Sequence, residues 1–431
     1  MNKLPNFLLI LLISSSVFAQ DIDLLESTDE AALFGSDSVI EESQKPINKI
    51  IEYSQQKSVS FSGQIRSFGY YGINRNWLMK KGNYSWADNN LFNYTDSDFF
   101  LDIRLQKGVK AFVDLSVVNL SSGESTANAT TALAVKELFM DFNLDRKVYV
   151  RVGKQFLKFG RTYFWNPVDF VNSERKSFYD MDALRSGTYG TKFHVPMGAA
   201  NNFYMFVDST DVENLDDFAV VTRYEFLWVS SEVGLSMWNR RGYTSNYGFD
   251  ASTRFMSLDI KTEVAMSYGS NQEYMADENG SLALAKIAGY WVPKATVDVG
   301  YVMDWERSDR ISLNYELYYN GDGYKENVLK TQVQRDFISD NNLYSMGRFS
   351  RWYQAFFINV SEFPTHSTTF SVNGIQNLVD YSSVIMPGFT YQVVDGFKLA
   401  SNVYFYFGDD NTEYLLNGNA LQFQVSGVLE F

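Results

Sequence analysis

Long segments that alternate apolar and polar residues constrain the fold more than any other feature of this sequence. Residues 258–268, LDIKTEVAMSY, put apolar side chains on one strand face and mostly charged ones on the other. The pattern recurs at 101–106, 136–144, 296–306, 311–319 and 397–407. Strands of soluble sandwiches average about five or six residues, whereas a tilted strand needs about nine to eleven to cross a bilayer. The length of these segments favours strands that span a membrane.

The alternation predicts an all-β fold, a transmembrane antiparallel up-and-down β-barrel that occupies residues 58–431. About eighteen strands are expected, with sixteen as the alternative, because single-chain bacterial barrels have an even number. The predicted strands are 61–73, 99–109, 111–121, 135–144, 148–160, 187–198, 201–210, 217–229, 231–240, 258–270, 282–293, 296–307, 311–320, 351–363, 365–378, 380–393, 397–408 and 419–431.

Connection lengths test this assignment independently, because such barrels have short periplasmic turns and long external loops. With the N-terminus in the periplasm, the long connections fall on the external side, at 74–98, 122–134, 161–186, 241–257, 321–350 and 409–418. The connection at 271–281 is an exception, since it is long for a periplasmic turn. The sorting supports the barrel.

The first 57 residues predict export rather than part of the barrel. Residues 1–19 resemble a cleaved signal peptide: Lys3 supplies a positive charge, residues 7–13 form a short apolar core, and Ala19 ends a permissible cleavage site. Residues 20–57 are acidic and predict a flexible periplasmic segment. After Ala19 no run of eighteen apolar residues follows, so a transmembrane helix is not expected.

Composition excludes several other classes of function. The chain has no cysteine, which removes disulfides, thiolate metal sites and a lipid-bearing cysteine. A net charge of −14 argues against nucleic acid as a partner. Only His194 and His366 could act as histidine bases, and no hydrolase elbow, metalloprotease or phosphate-loop motif is present. We therefore expect no enzyme, cofactor or metal site.

Two segments carry a resemblance to a known class. The terminal alternating strand LQFQVSGVLEF, which ends in Phe431, resembles the C-terminal signature of bacterial outer-membrane barrels. Residues 151–180, RVGKQFLKFGRTYFWNPVDFVNSERKSFYD, resemble porin-like outer-membrane proteins of unassigned substrate. The resemblance implies insertion into the outer membrane by the barrel-assembly machinery, contact with lipid and lipopolysaccharide, and passage of small hydrophilic solutes. It leaves open whether the barrels form a homotrimer.

The alternation also nominates residues that line the pore. Inward charges are expected at Asp102, Arg104, Glu137, Asp141, Arg151, Arg223, Glu225, Asp259, Lys261 and Glu263, together with Asp114, Asp298, Asp304, Glu306 and Glu316. The third external loop of many porins folds inward, so the resemblance nominates Arg161, Asp169, Glu174, Arg175 and Arg185 in loop 161–186 for a constriction. The alternative is that these residues pair across strands or pack at the rim.

Two functions remain open at this point. The first is a passive diffusion channel whose excess of lumenal carboxylates would favour cations or neutral polar solutes over anions. The second is a surface receptor or adhesin that uses the barrel as a scaffold and the loops 74–98 and 321–350 as binding surfaces.

Overall fold

The chain folds into a closed β-barrel, seen in a computed structural model that describes residues 57–75, 90–122, 130–172, 177–180, 183–278, 280–304, 310–416 and 418–431. Within these ranges, eighteen antiparallel strands form one ring in which each strand pairs with its neighbours along the chain. The last strand closes against the first, with Gln424 opposite Tyr70. The predicted fold class is confirmed, while the predictions for residues 1–56 lie outside the described residues.

Strands account for nearly all of the regular structure. In chain order they are β1 (Ser58–Asn74), β2 (Asn90–Arg104), β3 (Lys110–Ser122), β4 (Thr130–Leu144), β5 (Val148–Gln155), β6 (Thr188–Pro196), β7 (Asn201–Asp208), β8 (Ala219–Trp228), β9 (Ser231–Arg240), β10 (Asn246–Phe255), β11 (Leu258–Tyr268), β12 (Glu273–Glu278), β13 (Ser281–Lys286), β14 (Trp291–Asp304), β15 (Arg310–Asn320), β16 (Trp352–Ser361), β17 (Thr368–Asn377), β18 (Ser383–Val394), β19 (Phe397–Phe407) and β20 (Asn419–Glu430). One α-helix, α1 (Gln332–Asp340), follows β15 among the described residues. None of the helices in the described ranges has the length and apolar character needed to cross a membrane.

Two strand predictions were wrong, and their errors cancelled in the count. Residues 246–255 form β10, whereas the sequence pattern predicts them inside the external loop 241–257. Residues 282–293 do not form a barrel strand, since β12 and β13 pair only with each other as a separate hairpin and β14 begins at Trp291. β11 therefore pairs directly with β14. The predicted number of strands, eighteen, is correct, because β10 takes the place of the predicted strand 282–293 in the count.

The corrected strands remove the exception in the loop pattern. The connection around 271–281 is not a periplasmic turn, because the added strand β10 moves it to the same rim as the other long connections. That rim, the long-loop rim, carries the connections 75–89, 123–129, 156–187, 209–218, 241–245, 269–290, 321–351, 378–382 and 408–418. The opposite, short-turn rim carries 105–109, 145–147, 197–200, 229–230, 256–257, 305–309, 362–367 and 395–396.

The two faces of the barrel wall differ in the way that the alternation predicts. On β11, Glu263, Ala265 and Ser267 are buried, whereas Met266 and Tyr268 are exposed on the outside. Large apolar side chains cover the outer surface, among them Leu115, Leu133, Leu138, Met140, Leu235, Phe249, Phe370, Phe405 and Val425. Because the ring is closed, it presents this apolar surface to lipid without an unpaired strand edge.

Candidate pore and its constriction

The connection between β5 and β6, residues 156–187, folds into the barrel; we call it the internal loop. Trp165 and Val168 have no exposed surface, and Phe164 and Phe178 are almost completely buried. Full burial of one such apolar side chain contributes about 1.5–3 kcal/mol of stability. Burial of these side chains therefore favours the loop inside the barrel over a loop exposed at the rim by several kcal/mol. Residues 173–176 and 181–182 of this loop, including the candidates Glu174 and Arg175, lie outside the described residues.

One end of the internal loop packs on an aromatic wall. The Trp165 ring stacks on Tyr318 of β15 with centroids 5.3 Å apart, and its Nε1 donates to the carbonyl of Gly347 at 2.8 Å. Phe164 and Phe178 both contact Phe357 of β16. A second, smaller apolar cluster joins other residues of the loop to the wall: Leu157, Phe159, Val171, Phe206 and Val221. Burial of apolar surface therefore fixes the loop at two places.

Two buried carboxylates of the wall accept hydrogen bonds from the loop backbone between Arg161 and Val168. Glu263 Oε1 accepts hydrogen bonds from the backbone N–H groups of Arg161 and Thr162, at 2.5 and 2.8 Å, and its Oε2 accepts from Val168 N–H at 3.2 Å. The Thr162 hydroxyl also donates to Glu263 at 2.7 Å. Backbone N–H groups that leave a strand need new acceptors when they are buried, and a carboxylate can supply several.

Glu316 repeats this arrangement for two backbone N–H groups between Thr162 and Val168. Its two carboxylate oxygens accept from the backbone N–H groups of Phe164, at 2.7 Å, and Trp165, at 3.0 Å. Neither Glu263 nor Glu316 has exposed surface. Among the described residues, no cation forms a salt bridge with either carboxylate, so both serve the loop backbone as acceptors.

Gly160 makes the close approach of the loop to Glu263 possible. Its φ of +90° lies in a region that L side chains rarely adopt, and a Cβ atom there would lie 2.4 Å from Glu263 Oε1. The glycine therefore meets both a conformational and a steric requirement of the loop.

A network of charged groups joins the internal loop to β8, β9 and β10. Arg161 donates from Nε to Asp250 at 2.8 Å and also forms an ion pair with Glu232. Arg223 forms a two-pronged pair with Asp250, at 2.6 and 2.9 Å, and bonds Glu225 at 2.8 Å. The structure thus brings together four predicted residues, Arg161, Arg223, Glu225 and, through the Arg161 backbone, Glu263.

The other nominated residues lie in separate places. Asp141 and Arg151 form a buried cross-strand pair at 2.7 Å, and Lys261 pairs with Asp298 at 3.4 Å. At the short-turn rim, Asp102 bonds Arg104 at 3.1 Å, and Asp259 bonds Arg254 at 2.6 Å.

Three nominated residues touch the internal loop elsewhere. Glu137 accepts from the backbone N–H of Phe156 at 2.6 Å. Within the loop, the Arg185 guanidinium lies 4.2 Å from the centre of the Phe156 ring and 4.0 Å from Asp169. The nominated residues therefore do not form a single ring of charged side chains around the lumen.

Several residues that position the loop were not predicted from the sequence. Asp250 lies on β10, whose sequence NYGFDASTRF alternates although the prediction places it in the external loop 241–257. Arg66 of β1 pairs with Asp96 at 2.5 Å and with Asp180 of the internal loop at 3.1 Å. Glu413, in the connection 408–418, accepts from the backbone N–H of Gly347 and from the hydroxyl of Tyr353. Only the alternation at Asp250 gave a signal in the sequence.

Two of the hollows beside the internal loop bear on a route through the barrel. One, of about 110 Å³, lies between the loop and the wall formed by β1 and β16–β20. The other, of about 620 Å³, lies towards the long-loop rim and is lined by residues that include Trp165, Tyr243, Asn271, Lys294 and Tyr344. The lumen is thus partly filled rather than sealed throughout.

These features define a class, the eighteen-stranded membrane-type β-barrel with a loop folded into its lumen. Comparison with solved structures agrees at the level of the fold. The chain is similar to Acinetobacter baumannii OccAB1, at 12% identity over 86% of this chain and 96% of that one, with a TM-score of 0.51. It is also similar to Pseudomonas aeruginosa OccK11 (OpdR), at 8% identity, 86% and 96% coverage and a TM-score of 0.51. No protein-family profile and no curated protein sequence matches the chain.

Proposed function

We propose that this protein is a channel of the bacterial outer membrane through which small hydrophilic solutes diffuse passively. The observation that carries the proposal is the internal loop, which is held inside a closed barrel by Glu263 and Glu316 and leaves a polar hollow beside it. A barrel with an apolar outside and a polar, incompletely filled inside offers a water-lined route across lipid. The internal loop sets the width of that route.

The surroundings of the channel follow from the same proposal. Residues 1–19 direct export and are removed, residues 20–57 stay in the periplasm, and the strand that ends at Phe431 is the segment which the assembly machinery binds. The short-turn rim faces the periplasm, while the long-loop rim faces the outside with its lipopolysaccharide. Assembly as a homotrimer belongs to this proposal as well, and the channel passes solutes without chemical change.

Planar-bilayer recording of the purified protein tests the proposal. Because Gln155 and Thr188 pair directly across β5 and β6, a short Gly-Ser turn can replace residues 157–186 without separating the strands. We expect stepwise conductance from the intact protein and a severalfold larger conductance after this replacement. As a control, the hairpin of residues 273–286 can be replaced in the same way, since the Ser270 N–H donates to the Ile287 carbonyl at 2.8 Å across its base. This change at the rim should leave the conductance near that of the intact protein.

A surface receptor or adhesin is the second candidate, and one observation favours it. The long-loop rim has its own apolar cluster of Met275, Leu329, Ile338 and Phe349, which gives it a fixed shape suited to binding. The predicted binding loop 74–98 is shorter than expected, because β2 begins at Asn90, and residues 76–89 lie outside the described residues. Electrical silence of both the intact and the loop-replaced protein would support the scaffold and refute the channel.

A further inference from the structure

The hollow between the internal loop and the wall differs in chemistry from the rest of the lumen; we call it the neutral passage. Its wall is formed by β1 and β16–β20, and uncharged polar side chains dominate this surface. Six of them are Asn359, Ser371, Asn373, Thr390, Asn402 and Gln424. They lie in rows across the strands, with Asn359 opposite Ser371 and Asn402 opposite Gln424. Amides and hydroxyls therefore make up most of this wall, and the rest of its lining is apolar apart from Arg66.

Part of this hydrogen-bonding capacity is not used by the protein. Within the described part of the chain, the side-chain amides of Asn359 and Asn373 form no hydrogen bond to another residue. Asn402 and Gln424, in contrast, bond each other at 3.0 Å, and Gln424 donates to the Tyr70 hydroxyl at 3.0 Å. An amide offers both donors and an acceptor, so the side chains of Asn359 and Asn373 can each donate to a solute hydroxyl or accept from one.

Among the described residues, two charged side chains line the neutral passage. They are Arg66 and Asp180, which pair with each other at 3.1 Å. The carboxylates Glu263, Glu316, Asp250 and Asp298 have no exposed surface, and none of them lines this hollow. These four carboxylates therefore serve the internal loop and the ion pairs behind it, and they do not face the neutral passage.

Aromatic rings of the internal loop line the other side of the neutral passage. Tyr163, Phe178 and Tyr179 face the amide wall across the hollow. Tyr404, which the alternation also points inward, has no exposed surface and donates to the backbone carbonyl of Tyr179 at 3.2 Å. The passage thus combines an apolar, flat side with a hydrogen-bonding side, a combination that suits molecules with C–H faces and hydroxyl edges.

From this geometry we infer that the channel selects small uncharged polyhydroxylated solutes, such as sugar alcohols, over ions of similar size. The inference rests on the proposed channel function and names its substrate class. Amides and hydroxyls replace the water that a polyol loses on entry, and the rings pack against its carbon skeleton. An ion loses more hydration, and it meets no unpaired opposite charge among the described residues that line the passage.

Uptake into proteoliposomes separates the two kinds of solute. Erythritol is compared with potassium erythronate, which has the same four-carbon skeleton and one negative charge, with valinomycin present so that potassium can accompany the anion. We expect erythritol to enter at least about threefold faster, after subtraction of protein-free liposomes. In a potassium chloride gradient, the reversal potential should give a permeability ratio of potassium to chloride of about one. A clear preference for erythronate, or a strong preference for either ion, would overturn the inference.

Two variants place the selectivity on the amide wall. Asn373→Asp and Asn359→Asp each add a carboxylate to the neutral passage, so each should raise the ratio of potassium to chloride permeability about threefold or more. Asn214→Asp is the matched control. Asn214 is exposed in the connection 209–218, where it precedes the 3-10 turn Leu215–Asp217, and Asn and Asp are both favoured at such a position. Equal ratios for all three variants would show that ions bypass this wall. An electrically silent protein would refute the channel itself, whereas a conducting but strongly ion-selective one would refute only the preference for polyols.

Discussion

The anchoring of the internal loop by Glu263 gives the prediction that can be worked out furthest. Replacement of Glu263 by alanine removes the acceptor for the backbone N–H groups of Arg161, Thr162 and Val168 and for the Thr162 hydroxyl. A hydrogen bond to a charged group contributes about 1.5–3 kcal/mol, and a neutral one about 1 kcal/mol. Lumenal water can solvate some of the freed donors, so we expect a loss of about 3–5 kcal/mol in the stability of the docked loop.

This loss should appear as more frequent opening of the loop. Because about 1.4 kcal/mol corresponds to a factor of ten, the open population should rise about a hundredfold or more. The chain has no cysteine, so Val168→Cys provides a unique buried reporter in the docked loop. Reaction of this thiol with a maleimide should accelerate by the same factor in the Glu263→Ala background, and single-channel currents should become noisier.

Two further variants set the scale. Glu263→Gln keeps one acceptor oxygen and should produce a smaller effect than alanine. Glu232→Gln makes the same chemical change at a half-exposed residue paired with Arg161, where a salt bridge contributes about 0–1 kcal/mol. Barrel integrity is checked by heat-dependent migration on gels. Labelling rates within about threefold of each other in the parent and Glu263→Ala proteins would refute the anchoring role, since that ratio is under about 1 kcal/mol.

Three other predictions concern Gly160, the Asp141–Arg151 pair and Glu413. Gly160→Ala should loosen the internal loop and alter the single-channel conductance, because the new Cβ would clash with Glu263. Gly198→Ala is the control, since it has a similar positive φ and no atom within 4 Å of the new Cβ, and it should leave the conductance unchanged. Equal conductances of the two variants would contradict this explanation. Asp141→Leu should destabilise the barrel by about 3–5 kcal/mol in urea unfolding, because it leaves the buried Arg151 without its carboxylate. The double variant Asp141→Leu, Arg151→Met should recover most of this loss. Additive effects of the two substitutions would show that the pair does not act as a unit. Burial raises the pKa of Glu413, in the connection 408–418, to about 7 from its usual 4.5, so the folded protein retains a proton that the unfolded chain releases. From below pH 4.5 to pH 7, the parent protein should therefore lose up to about 3 kcal/mol of unfolding free energy relative to Glu413→Gln, as measured by unfolding midpoints across the range.

The fold could be predicted from the sequence because a strand has a simple period. Segments such as 258–268 have one apolar and one polar face, so their placement in a barrel wall needs no knowledge of distant partners. The misassigned strands show the limit of this reasoning. β10 begins directly after the polar stretch at 241–245, while β13 alternates weakly and pairs only with β12. Local pattern cannot distinguish a strand of the barrel from a strand of a loop hairpin.

The constriction was harder to predict, because its contacts join residues far apart in the chain. The position of the internal loop in chain order nominated it, but Glu316 lies about 150 residues away from the backbone groups that it holds. The sequence predicts that the inward carboxylates face the pore and create an electrostatic field that acts on solutes. Instead, Glu263 and Glu316 face backbone N–H groups, and Asp250 faces two arginines. Sequence indicates which side chains point inward, whereas the filling of the lumen decides which of them a solute meets.

An experimental density map of the protein in lipid nanodiscs tests the occupied lumen most directly. We expect a ring of eighteen strands with residues 161–172 inside it, at the level of Glu263 and Glu316, and an open hollow beside β16–β20. A lumen without this segment, or a map in which the segment packs at the rim, would contradict the internal loop and the channel built on it.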